Sequence, residues 1–128
     1  MRLLSIAAAL TCAVLAAPAD AATRVAVSGK PLLLYRGYSA NPNCGPDGEV
    51  TVRVLTPPEH GRVNIRKARV FPRFPESNPR YVCNRRGVAG VEATYTSARG
   101  YTGPDNVALE VIFPNGLYQK GSMSIEVK

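Results

Sequence analysis

Tryptophan is absent from this sequence, and histidine occurs once, at His60. One imidazole leaves no room for a multi-histidine metal site, and it leaves a single candidate for a histidine general base. Acidic residues are also scarce, nine against sixteen Lys and Arg, for a formal net charge of +7. Their spacing makes no calcium loop: Asn43-Cys44-Gly45-Pro46-Asp47-Gly48 breaks off before a full ligand series, and Asp47, Glu49 and Asp105 suit turns instead. No glycine run is followed by Gly-Lys-Ser or Gly-Lys-Thr, so there is no phosphate loop. Beyond residue 17 no run approaches the roughly 20 apolar residues that a membrane-spanning helix needs. Helical periodicity, internal repeats and low-complexity tracts are missing as well.

Cysteine is rare too, with Cys12, Cys44 and Cys83 the only three. Cys12 falls within an N-terminal stretch that reads as a secretory signal: Arg2, an apolar run from Leu3 to Ala17, then Pro18 and the small residues Ala19-Asp20-Ala21 before a cut after Ala21. Ala9-Leu10-Thr11 lacks the small residue that directly precedes a lipidated cysteine, so Cys12 is expected to leave with residues 1–21. The remaining domain, 22–128, then holds two cysteines in a compartment that permits disulfides. The alternatives are a zinc site, which needs further Cys or His ligands where the sequence offers only His60, and a reactive thiol; a Cys44–Cys83 bond is the simplest assignment and is expected. In the chain-entropy account a loop of that length constrains the unfolded chain by about 4 kcal/mol.

What the sequence does have is alternation punctuated by turns. Arg24 to Ser28 and Leu32 to Tyr38 are two candidate strands, the second less regular. Val50, Val52 and Val54 alternate with Thr51, Arg53 and Leu55 after the Pro46-Asp47-Gly48 turn. Thr56-Pro57-Pro58-Glu59-His60-Gly61 is a turn, because proline lacks the ladder donor, and Val63 and Ile65 follow it. Val91, Ala93 and Tyr95 form another strand, as do Val107, Leu109 and Val111. After the Pro114-Asn115-Gly116 turn, Met123, Ile125 and Val127 form the last. About seven short strands at this spacing predict one all-β domain, a single antiparallel β-sandwich of immunoglobulin type with one disulfide.

Lys67 to Val88 departs from that pattern. Pro72, Pro75 and Pro79 alternate with Arg, Phe and Tyr, and 67–88 is expected to be a long surface loop pinned by Cys83. The positive charge concentrates here. From Arg62 to Arg99 there are nine basic residues against Glu76 and Glu92, while the rest of 22–128 is balanced. Arg66, Lys67, Arg69, Arg73, Arg80, Arg85 and Arg86 are therefore candidate polyanion contacts, the arginine fork being suited to phosphate, sulfate or carboxylate. Phe71, Phe74 and Tyr81 are candidate aromatic contacts. The same residues also suit a solvated basic loop whose rings cover the core edge.

Two blocks, Thr56-Pro57-Pro58-Glu59-His60-Gly61-Arg62-Val63 and Ala93-Thr94-Tyr95-Thr96 through Gly100-Tyr101-Thr102-Gly103-Pro104-Asp105-Asn106-Val107, resemble bacterial immunoglobulin-like or cadherin-like repeats. The resemblance covers roughly the C-terminal two thirds of the chain. It implies that Pro57, His60, Gly61, Tyr95, Gly103 and Asp105 shape turns and corners. The chain departs from such repeats in being a single unit with a disulfide and an Arg/Pro insertion. It is also similar to small exported bacterial proteins of unknown function. The expectation is a non-enzymatic, cofactor-free exported module, periplasmic or secreted. Its expected partner is an anionic glycan, lipopolysaccharide or membrane surface, or another envelope protein in a structural or adhesive role, with no specific nucleic acid.

Overall fold

The computed structural model describes residues 23–128, so the signal segment and its cleavage lie outside the described residues. Seven strands and one short helix follow in order: β1 Thr23–Ala26, β2 Leu32–Tyr38, β3 Thr51–Thr56, β4 Gly61–Val70, α1 Cys83–Arg86, β5 Val88–Ser97, β6 Gly103–Ile112 and β7 Tyr118–Val127. They form two sheets, β1-β7-β6-β3 and β2-β5-β4, that face each other as a β-sandwich. With the strands lettered A to G in chain order, the sheets are A-G-F-C and B-E-D. The immunoglobulin constant arrangement differs only in placing A beside B.

Alternation in the sequence becomes burial here. Val91, Ala93 and Tyr95 of β5 face Val107, Leu109 and Val111 of β6 and Ile125 and Val127 of β7 in one core. Tyr95 is its largest fully buried side chain. Its hydroxyl donates to Asp105 Oδ2 at 2.7 Å, which lets a polar ring sit where no water reaches. Asp105 also accepts from the backbone N–H groups of Glu59, His60 and Asn106. The turn before β4 is thereby fastened to the start of β6.

Three features depart from the expected pattern, each for a physical reason. β1 runs parallel to β7, pairing Thr23 with Ser124 and Ala26 with Val127, so the sandwich is not antiparallel throughout. Non-local pairing of this kind leaves no trace in alternation. The irregularity of β2 is a bulge between Leu33 and Tyr35, which turns Leu34 into the core at 3% exposure. The segment 67–88 is not all loop: Lys67 to Val70 continue β4, each paired across to β5, and Val88 opens β5. Alternation is hidden there because β4 leaves the core, so both of its faces carry charged or small residues.

Candidate functional site

Between β4 and β5 the chain makes an excursion over the outer face of the three-stranded sheet. Val70 and Val88 pair with each other and point away from the main core. They are buried instead in a second apolar cluster with Ala40 and Cys83, against which Tyr38, Cys44 and Phe74 pack. Phe74 meets Tyr38 edge to face with centroids 6.0 Å apart. The Cys44–Cys83 disulfide ties this excursion to the β2–β3 connection, as the cysteine count predicts. Asn84 clamps the extended stretch before it: its Oδ1 accepts from Phe74 N–H and its Nδ2 donates to Phe74 O, both at 2.9 Å. The α1 turn ends at Gly87, whose φ of 73° lies in the left-handed region. A Cβ there would fall 2.9 Å from Arg69 Cγ and 3.1 Å from Phe71 Cε1. Glycine is what lets the Arg69 stem and the Phe71 ring close over the end of the helix.

The seven basic residues expected to act together are divided by this architecture. Arg66 lies on the outer sheet face, where it and Arg36 flank Glu92 from the two neighbouring strands, at 2.8 and 2.7 Å. The Arg36 hydrogen bond, foremost, and the Arg66 charge outweigh desolvation and hold the Glu92 carboxyl below its usual range. Lys67, one residue on, faces the opposite side and pairs with Glu49 at 2.5 Å. Each partner shifts the other: hydrogen bonding and charge lower Glu49 and raise Lys67. Arg80 is structural, its Nε donating to Ala40 O at 2.6 Å. Arg69, Arg73, Arg85 and Arg86 remain. All four are exposed, and none makes an ion pair or side-chain hydrogen bond among the described residues.

The aromatic candidates divide the same way. Phe74 is half-buried and structural, whereas Phe71 and Tyr81 are 58% and 43% exposed, with Val82 beside them at 49%. Tyr81 donates a long hydrogen bond to Glu76. His60 stacks on Tyr101 with centroids 4.0 Å apart and rings 7° from parallel, so it is a packed turn residue. Among the described residues no three His, Cys, Asp or Glu side chains converge on a metal position, and no helix is long and apolar enough to cross a membrane.

One feature is invisible to sequence reading: a cleft of 620 Å³ between the edge strands β3 and β4, lined by Val50, Val52, Ile65, Lys67, Ala89 and Val91 among others. It joins residues from three segments, which no local pattern links. No protein family matches the sequence, and no curated protein does. The solution structure of amebosin aligns with 83% of this chain and 88% of its own, at 14% identity and a TM-score of 0.39. A likeness at that level assigns neither fold nor function.

Proposed function

We propose that the domain is an exported, non-enzymatic binding module, related to the bacterial immunoglobulin-like repeats, that engages an anionic envelope or extracellular component through the β4–β5 excursion. The observation that carries this reading is the set of three exposed, unpaired arginines, Arg73, Arg85 and Arg86, on a segment held by a disulfide, a clamp and its own small core, with Arg69 beside it at the end of β4. Such a segment loses little conformational freedom on binding. Arg69, Arg73, Arg85 and Arg86 are the contacts, while Arg66 and Arg80 are tied to Glu92 and to Ala40 O, and Lys67 pairs with Glu49 outside the excursion. Export is favoured by the signal-like N-terminus and by the disulfide, which persists in oxidising compartments. Mass measurement of the released protein tests it, a chain beginning at Ala22 being expected.

Binding is tested with the oxidised domain against lipopolysaccharide, an acidic glycan and DNA over a salt series, beside a variant carrying Arg69→Ser, Arg73→Ser, Arg85→Ser and Arg86→Ser. A steep loss of affinity with salt, flattened in the variant, is the expected result. Equal and weak binding by both proteins overturns the reading. A second reading, docking to another envelope protein, is favoured by the exposed Phe71, Tyr81 and Val82. It predicts capture that resists salt and is lost in Phe71→Ser with Tyr81→Ser.

A further inference from the structure

On the inner face of β5 only Tyr95 is large; toward the start of the strand it is followed by Ala93, Val91 and Ala89. Opposite it on β4, Ile65 gives way to Lys67, with Arg69 two positions further on the same face. No large side chain fills the wedge between these positions and Val50 and Val52 on the facing sheet. That deficit is the origin of the cleft, whose 620 Å³ lies within the range of about 300 to 1,000 Å³ of small-molecule sites. Its wall is mainly aliphatic. On the β4 side the base at the mouth is Lys67, while Arg69 lies outside the lining with its stem and the exposed Phe71 ring against Gly87. Glu49 reaches across to Lys67 from a loop that is seated against the β6–β7 turn. A Cβ on Gly48 would fall 2.7 Å from Pro114 Cβ, so only glycine lets the loop approach so closely.

We propose that this cleft is a binding site for an anionic amphiphile: an alkyl chain lies between β3 and β4 while its phosphate, sulfate or carboxylate head meets Lys67 at the mouth. The inference deepens the anionic-ligand reading, on which its head preference rests, and adds an apolar tail and a separate place for it. Glu49 competes with the head for Lys67 and acts as an internal substitute for it in the empty cleft. A tail without a head gains only apolar burial, and a head without a tail meets a single base in open solvent, where the pairing is worth little. The two together distinguish this ligand from a soluble polyanion.

The test is calorimetric titration of the oxidised domain with monomeric dodecyl phosphate, with inorganic phosphate and dodecyl maltoside as probes of head and tail alone, and with phosphatidylglycerol vesicles to separate a free amphiphile from a membrane. Saturable one-to-one binding of dodecyl phosphate, far stronger than either partial probe, is expected. Ala89→Phe fills the cleft from an exposed position and should weaken binding by about tenfold or more. Lys67→Glu should weaken it about tenfold, and Glu49→Gln, which frees Lys67, should tighten it. These two surface changes keep the test decisive if Ala89→Phe does not fold. Arg85→Ser with Arg86→Ser should remove polyanion binding but spare the amphiphile, so failure of one site is distinguishable from failure of the other. Binding that is unchanged in Ala89→Phe, matched by inorganic phosphate, or seen with vesicles alone overturns the proposal.

Discussion

Asp105 shows how much one carboxylate can organise. It is 8% exposed and receives the Tyr95 hydroxyl and three backbone N–H groups. Replacing it with alanine strands several of these donors, and each buried unsatisfied group costs about 1–3 kcal/mol. Asp105→Ala should therefore lower stability by about 3 kcal/mol or more in urea unfolding. Tyr95→Phe keeps the ring and loses one bond, and should cost about 1 kcal/mol. Burial pushes the Asp105 carboxyl up, but the Tyr95 hydroxyl and the backbone donors together outweigh it and leave its pKa below the usual value. A depressed carboxylate stabilises the fold above its unfolded pKa, about 3.9 for Asp, and that contribution is lost as pH falls through the folded value. Glu49 and Glu92 are shifted the same way. Urea midpoints measured from neutral to acidic pH should fall below the carboxylate range, and Asp105→Asn should start lower at neutral pH and fall less steeply.

At the scale of elements, the β4–β5 excursion is a unit with its own core, joined to the sheet at Val70 and Val88. The disulfide matters here because the excursion has few backbone ladder bonds to hold it. With Cys44→Ala and Cys83→Ala, hydrogen exchange should speed up across residues 71–87 while the β5 and β6 amides keep their protection. Asn84→Ala should act similarly but over the Phe74 side alone, since it removes only the clamp. The strands around this unit were legible wherever one face is buried: Val91-Ala93-Tyr95 and Val107-Leu109-Val111 alternate because a core lies on one side and solvent on the other. The ends of β4 and β5 were hidden because Val70 and Val88 face a second core, which reverses the sense of inside and outside. The basic candidates were legible as a count but not as a place, because Arg66 and Lys67 are neighbours in sequence and point to opposite faces. Arg80 could not be separated from Arg85 without knowing that Ala40 O lies within its reach.

Across the whole molecule, the first described strand depends on the last. Ile125 and Val127 are each 1% exposed, and the same stretch is the only partner of β1 among the described strands. Deleting residues 125–128 thus removes two core side chains and leaves Ala26 without its seat. The shortened domain should lose its cooperative thermal transition, as followed by circular dichroism. Beyond β1, Ser28 N–H donates to Lys128 O and Lys128 N–H to Ala26 O, at 2.8 and 2.9 Å, so the seam extends to the last residue. Because the two strands are parallel, a chain pulled by its N-terminus and its C-terminus draws β1 and β7 lengthwise past each other. The seam's hydrogen bonds then bear the load together and do not peel apart in turn. A domain tethered at both ends would resist tension at this seam before any force reached its core.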